Sequence, residues 1–136
     1  LSGFFDKFYF LKNVPHHDVL KYQLKSDIYV SGGTDGNLIN TNLEAISSNA
    51  CMVIPKPQPK KFIDIETSKL LGDSVLYYNV NDTNDLNDKL LSLLDNPKMI
   101  QYYKNKISKT KLKFMRTWNE RVDEESNILN KILKKN

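Results

Sequence analysis

The sequence predicts an α/β fold: a Rossmann-like, parallel β-sheet with helices on both faces and a helical C-terminus. Short strand-like runs alternate with helix-like segments through Asn79, an order that is typical of βαβ units. The runs at Ile28–Ser31 and Cys51–Ile54 lack the alternation of a half-exposed strand and instead predict strands that are covered on both faces. Beyond Asn79 the apolar spacing becomes helical, which predicts that helices complete the fold.

Length and composition limit the possible classes of protein. The chain has 136 residues, which fits one domain spanning 1–136. A formal net charge of +4 is a mild basic bias, and aromatic and basic residues are not interleaved as on a nucleic-acid platform. We therefore expect no nucleic-acid partner. The chain opens on Leu1 and reads as mid-domain sequence, so we expect a fragment of a longer protein.

The single cysteine, Cys51, excludes an internal disulfide. It lies in an apolar run, so we predict a buried structural thiol and not a nucleophile. A reducing, cytoplasmic compartment is the natural expectation. No apolar run approaches the ~18 residues that a membrane span requires.

The first half of the chain predicts three strands and two helices. The aromatic and branched segment Phe8–Val14 predicts a strand that Pro15 ends. The segment HHDVLKYQLKSD predicts a short helix with apolar positions 19, 20 and 24. Strand Ile28–Ser31 then leads through a glycine-rich loop into a helix from about Thr41, and strand Cys51–Ile54 follows.

The second half predicts one strand and then helices. Val75–Asn79 is the fourth predicted strand, and Asn81–Asp85 offers N-cap residues. Pro97 is placed to begin a helix, and Thr117-x-x-Glu120 is a capping box for the last one. The predicted buried faces of these three helices are Leu86, Leu90, Leu93 and Leu94, then Met99, Ile100, Tyr103 and Ile107, then Trp118, Val122, Leu129, Ile132 and Leu133.

The loop from Ser31 to Asn37 joins a predicted buried strand to a helix. Ligands of open parallel sheets bind at the carboxyl ends of strands. The unsatisfied N–H groups and dipole of the following helix favour an anion. Glu44, one turn into that helix, could accept hydrogen bonds from sugar hydroxyls. The alternative is that Thr41-x-x-Glu44 is only a capping box and that the loop glycines serve geometry alone.

The segment SDIYVS…DGNLINTNLEAISSNACMVIP resembles the C-terminal, donor-binding domain of family 4 glycosyltransferases of the GT-B fold. In that family a strand ends in an acid, three hydrophobic residues and Ser. An acid-Gly pair, a Glu-Ala pair and a further apolar strand then follow in sequence. The preceding FYFLKNVPHHDVLKYQLKSD and the later LGDSVLYYNVNDTNDLNDKLLSLLDNPKMIQYYKNKI and TWNERVDEESNILNKIL are similar to the family's flanking elements. The resemblance therefore covers nearly the whole chain.

The sequence departs from the family's pattern in two ways. The family places seven residues between its two acids, whereas eight separate Asp35 from Glu44. Lys12 stands where the family usually has glycine.

The resemblance implies a retaining transferase that moves a sugar from a nucleotide diphosphate sugar to a glycan, lipid-linked or protein acceptor, without a metal or other cofactor. Glu44 would hold the ribose hydroxyls and Asp35 would lie near the transferred sugar. Asn13 and Val14 would lie against the base. The diphosphate or sugar would be bound by the backbone of Asn40 and Thr41, with Gly36, Asn37, Leu38 and Ile39 nearby. The family's paired basic residues would precede Leu1, so we expect a missing N-terminal acceptor domain and no transfer by the isolated chain.

Other interpretations of the same sequence stay open. A non-catalytic GT-B-like binding or scaffolding module is the main alternative, and a different α/β binding module is another. His16 and His17 predict a surface turn, although His16 could border the nucleotide pocket. The basic run Lys104–Arg116 predicts a solvated helix face or, alternatively, peripheral contact with anionic lipid head groups.

Overall fold

The computed structural model describes residues 8–33, 38–57 and 65–134, in which a three-stranded sheet is packed between helices. Six helices and three strands follow one another along these described residues. Their bounds are α1 His16–Lys25, β1 Ile28–Val30, α2 Asn40–Ser47, β2 Cys51–Pro55, α3 Ile65–Leu71, β3 Leu76–Tyr78, α4 Thr83–Asp95, α5 Pro97–Lys111 and α6 Trp118–Leu133, with a 3₁₀ turn at Gly72–Ser74 after α3.

The sheet is parallel and has the order β1-β2-β3. Ile28 pairs with Cys51 across the first ladder, and Val53 pairs with Leu76 across the second. A parallel neighbour requires a crossover connection, and α2 and α3 lie in these two connections. Three of the four predicted strands and their parallel arrangement are therefore confirmed.

Both faces of β2 are buried, and all five of its residues are inaccessible to solvent. Successive side chains of a strand point to opposite faces. Met52 and Ile54 accordingly pack in a cluster with Ile46 of α2, Leu71 of α3 and Ile107 of α5. Cys51 and Val53 pack in a second cluster with Leu93 of α4 and the first turns of α5. The predicted placement of helices on both faces is confirmed.

The predicted strand at Phe8–Val14 is wrong, because no regular structure occurs there. Phe8, Tyr9, Phe10 and Leu11 are all more than half exposed, so this segment gains no burial from a sheet. The backbone of Asn13 is left-handed, with φ 53°, which breaks an extended run. Aromatic and branched residues favour strands only where neighbouring side chains cover them.

Two of the three apolar positions predicted for α1, 20 and 24, are not on its buried side, whereas Val19 is half-buried. Leu24 is 69% exposed and Leu20 is also exposed, whereas Gln23 is buried. Leu94 of α4 is exposed as well, although Leu86, Leu90 and Leu93 pack as predicted.

The helix α6 forms where predicted, but its predicted buried stripe is exposed. None of its residues is buried, and Trp118 is 80% exposed. Helical spacing identified the apolar face correctly but could not show whether anything within the chain covers that face.

The helix starts follow the sequence signals. Asp82 is the N-cap of α4 and accepts a hydrogen bond from the Asp85 N–H at 3.0 Å. Pro97 occupies the first turn of α5, and Thr117 and Glu120 form the predicted capping box of α6. None of the described helices is both long enough and apolar enough to cross a bilayer.

The contribution of the Asp82 N-cap to stability can be tested by substitution. Asp82→Ala removes the acceptor for the Asp85 N–H, so we expect the free energy of unfolding to fall by about 1 kcal/mol. Denaturant unfolding monitored by circular dichroism measures this change. Asp88→Ala removes the same charge from an exposed position of the same helix and should leave stability almost unchanged. Equal effects of the two substitutions would contradict the cap.

The burial of the Cys51 thiol can be tested through its reactivity and its ionisation. Burial raises the pKa of Cys51 to about 11, against a weaker lowering effect of Lys104. We therefore expect no reaction with a thiol reagent at neutral pH unless denaturant is present. Because the unfolded thiol ionises near pH 9 and the folded one does not, the free energy of unfolding should fall as pH rises from about 9 to 11. Cys51→Ala should show a shallower fall, and a slope identical to wild type would refute this contribution.

Candidate functional site

The carboxyl edge of the sheet is fixed by two hydrogen bonds to the backbone of Ser31. Its N–H donates to the Val53 carbonyl at 3.0 Å, which extends the β1–β2 ladder by one residue. Its carbonyl accepts a hydrogen bond from the Tyr78 hydroxyl at 2.8 Å, in a buried position. Tyr78 belongs to β3, so this bond reaches across β2. The loop that follows Ser31 therefore begins from a rigid point.

Among the described residues, no side chain caps the start of α2. Ile39 is the N-cap, and its carbonyl accepts from the N–H groups of Asn42 and Leu43 at 2.9 and 3.1 Å. The N–H groups of Asn40 and Thr41 have no carbonyl within the helix to which they could donate, and both residues are exposed. These donors and the helix dipole favour an anion at this end of α2.

Glu44 does not close a capping box, so that alternative for its role is wrong. The helix begins before Thr41, at Asn40, and its N-cap residue is Ile39, whose side chain cannot accept a hydrogen bond. The Oε1 atom of Glu44 instead lies 2.6 Å from Nε2 of His16 in α1. Its Oε2 atom is buried and has no hydrogen-bond partner among the described residues. A buried carboxylate oxygen without a donor is costly, and a ligand hydroxyl would satisfy it.

The packing of α1 against α2 holds Glu44 in place. Gln23, two turns after His16 on α1, donates from Nε2 to the carbonyl of Thr41 at 3.4 Å. The Gln23 Oε1 atom is buried and, within the described part of the chain, also lacks a partner. On the far side of α2, buried Asn42 accepts from the Tyr29 hydroxyl at 2.9 Å, which ties α2 to β1.

The glycines after β1 are not required by the fold around them. A Cβ added at Gly32 would meet no atom within 4 Å, and one at Gly33 would meet only Ser31 Oγ at 3.7 Å. Both residues are exposed. The space over this backbone is open, which a ligand that approaches the main chain closely would require.

The remaining predicted site residues are distributed around this edge. Leu38 is half-buried against the core, and Ile39 is about half exposed. Asn13 and Val14 precede His16 by three and two residues, so they lie within about 11 Å of it along the chain. Asp35, Gly36 and Asn37 lie outside the described residues.

Sequence reasoning missed Gln23 and underrated His16. Adjacent histidines after a proline suggested a surface turn, but His16 is the first residue of α1 and its ring reaches Glu44. A 28-residue separation leaves no local spacing signal for this contact. Gln23 carried a weak signal, since it lies seven residues from His16 and therefore on the same helix face.

The arrangement can bind a ligand that carries both an anionic group and hydroxyl groups. The N–H donors at the start of α2, which have no partner among the described residues, would face the anion, and the Glu44 carboxylate, one turn later, would accept from hydroxyls. In the described part of the chain no three His, Cys, Asp or Glu side chains cluster closely enough to hold a metal ion.

The basic run Lys104–Arg116 is largely paired within the chain. Lys104 contacts Asp27 at 2.9 Å, Lys106 pairs with Asp73, and Arg116 contacts Glu124 at 3.1 Å. Lys111 donates to the Ser47 carbonyl at 3.1 Å. These internal partners reduce the charge that the run can offer to a lipid surface.

A cleft of about 520 Å³ lies at the opposite end of α2 from the free N–H groups. It is lined by the last residue of α2, the end of α5 and the start of α6. Its cations, Lys111 and Arg116, already have partners within the chain. We therefore do not place the ligand site in this cleft.

Comparisons with known protein families, curated proteins and solved structures find no match to this chain. The functional argument therefore depends on the residues at the carboxyl edge of the sheet.

Two adjacent tyrosines test how firmly this edge is held. Tyr78→Phe leaves the buried Ser31 carbonyl without its donor, so we expect the free energy of unfolding to fall by about 1–3 kcal/mol. Tyr77→Phe is the matched control, because the buried Tyr77 hydroxyl has no partner among the described residues and its loss should be neutral or stabilising. Urea unfolding of both variants measures the difference. A Tyr77→Phe variant as destabilised as Tyr78→Phe would argue against this account.

Proposed function

We propose that this chain is the donor-binding domain of a cytoplasmic, retaining glycosyltransferase that uses a nucleotide diphosphate sugar. The observation that carries the proposal is the unpartnered, buried Oε2 atom of Glu44 beside the free N-terminus of α2. An oxygen that only accepts, next to donors that favour an anion, matches a molecule in which hydroxyls and a diphosphate lie close together.

The proposed roles come from the family resemblance, and the described contacts of Glu44 and the position of Asn40 and Thr41 at the start of α2 support them. Glu44 holds ribose hydroxyls, with His16 fixing its other oxygen. The backbone N–H groups of Asn40 and Thr41 bind the diphosphate, and the open space over Gly32 admits the donor. Asp35 lies near the transferred sugar, and the segment at Asn13 and Val14 borders the base.

The chemistry assigned to this domain is positioning and charge stabilisation. Transfer of the sugar leaves negative charge on the departing diphosphate, and fixed N–H dipoles at a helix N-terminus stabilise that charge without reorganising. The acceptor, whether a glycan, a lipid-linked sugar or a protein, would be bound by a further domain. No metal or other cofactor is part of the proposal.

A binding module without catalysis is the second candidate. The observation that favours it is the spacing of eight residues between Asp35 and Glu44, one more than in the family that the sequence resembles. Such a module would bind the nucleotide through Glu44 in the same way but would not position the sugar for transfer.

Glu44→Gln tests the proposal directly. The substitution keeps the size of the side chain but removes the charge that strengthens hydrogen bonds from ribose, a difference on the order of 1 kcal/mol. We expect several-fold weaker nucleotide diphosphate binding by calorimetry and an almost unchanged melting temperature. A preliminary thermal-shift panel of nucleotide diphosphates and their sugars identifies the base to use.

Two further variants serve as controls for the effect of Glu44→Gln. Asp88→Asn removes a charge from an exposed position of α4 and should bind as wild type does. Asp35→Asn should alter discrimination between sugar nucleotides more than affinity for the bare nucleotide. Equal nucleotide affinity of wild type and Glu44→Gln would exclude Glu44 from the site and with it the proposal.

A further inference from the structure

The contact between His16 and Glu44 joins α1 to α2 beside the start of α2. Nε2 of His16 lies 2.6 Å from Oε1 of Glu44. The histidine side chain is 74% exposed, whereas that of Glu44 is only 18% exposed. An ionised carboxylate can only accept hydrogen bonds, so Nε2 carries a hydrogen and donates it to Oε1. The charge of the pair then depends on Nδ1: with a proton there the pair is neutral, and without one it is negative.

The other charged groups around this contact are paired with one another. Glu44 is the one charged residue of α2. On α1, the carboxylate of Asp18 lies 2.7 Å from Nζ of Lys21 and 3.4 Å from Nε2 of His17. Among the described residues, His16 is therefore the basic group that lies within ion-pairing distance of Glu44.

A diphosphate at the start of α2 would experience the charge of Glu44. The N–H groups assigned to the diphosphate belong to Asn40 and Thr41, and Glu44 follows them by about 5 Å along the helix axis. Two negative groups this close repel one another, and the helix N-terminus supplies only about half of a positive charge. Glu44 must nevertheless stay ionised to accept from hydroxyls with both oxygens. Its charge can be offset without protonating it only by a cation beside it.

We propose that His16 is a positioning residue whose imidazolium form offsets the charge of Glu44, so that the nucleotide diphosphate and a proton bind together. The inference rests on the proposed function, because it requires a diphosphate at the start of α2. The proton comes from solvent and binds at Nδ1 of the exposed ring, while Nε2 continues to donate to Oε1 of Glu44. Oε2, which has no partner among the described residues, remains the acceptor for ribose hydroxyls.

The affinity for a nucleotide diphosphate should therefore depend on pH through His16. The imidazolium form binds the ligand better than the neutral form, so affinity falls as pH rises through the range in which histidine side chains lose their charge, about pH 5 to 8. A terminal phosphate also loses a proton near pH 6. That change affects every variant alike, so a ratio of affinities at one pH isolates the contribution of His16.

The ratio of wild-type affinity to that of His16→Gln tests this linkage. Gln keeps a hydrogen-bond donor but cannot carry a charge. Calorimetry with uridine, adenosine and guanosine diphosphate measures the affinities at about pH 6 and about pH 8. For the diphosphate that binds best, we expect wild type to bind about fivefold more tightly than His16→Gln at the lower pH, which is the upper range for an exposed ion pair. At the higher pH the two affinities should be equal.

His17→Gln is the matched control. His17 is the next residue and is 72% exposed, but it contacts Asp18 and not Glu44. Its affinity should follow that of wild type at both pH values. Calorimetry near pH 7 in buffers of different ionisation enthalpy counts the protons that accompany binding. The uptake should be larger in wild type and His17→Gln than in His16→Gln by a fraction of one proton, and circular dichroism verifies that all three chains are folded.

The corresponding nucleosides separate the effect of charge from that of orientation. They carry no phosphate, so an equal fivefold loss of nucleoside affinity in His16→Gln would assign the effect to orientation alone and overturn the linkage. Diphosphate binding with the same pH dependence and proton uptake in wild type and His16→Gln would also overturn it and leave the proposed function intact. If wild type bound none of the three diphosphates at either pH, the proposed function would fall and this inference with it.

Discussion

The burial of β2 on both of its faces is the constraint on which the rest of the structure depends. Cys51 and Val53 point to one layer of helices and Met52 and Ile54 to the other, so neither layer can be removed without exposing the strand. Close packing of both layers fixes β2 between β1 and β3. The carboxyl ends of all three strands consequently meet at one edge, where the backbone leaves Ser31 for the glycine loop.

That edge is polar because of how the first two helices cross. His16 meets Glu44 near one end of the α1–α2 contact, and Gln23 meets Thr41 further along α1. Polar side chains therefore replace apolar ones in the interface between these helices, while Leu20 and Leu24 point to solvent. Buried polar groups that lack partners are uncommon in folded proteins and call for an explanation. In the proposed function, a ligand at the start of α2 would supply the donor that Glu44 lacks.

The sequence could predict those features that depend on local chemistry or on strong periodicity. The strands at residues 28–31 and 51–54, the caps at Asp82 and Thr117 and the burial of Cys51 all belong to this class. The prediction of a strand at Phe8–Val14 was wrong, because residues of high β-propensity form a strand only where neighbouring side chains cover them. The predicted burial of the apolar face of α6 was wrong, because periodicity identifies an apolar face but not the surface that buries it. The contact of His16 with Glu44 joins elements 28 residues apart and could not be predicted from local patterns.

The parallel register described above also affects how the chain folds. Ile28 pairs with Cys51 and Val53 pairs with Leu76, so each ladder joins residues 23 apart in sequence. Neither ladder can form from a tight hairpin, and each requires closure of a loop whose entropy cost precedes any gain from pairing. Because the two closures are of equal length and share β2, neither has an entropic advantage over the other. The entropy of loop closure therefore does not decide which ladder forms first.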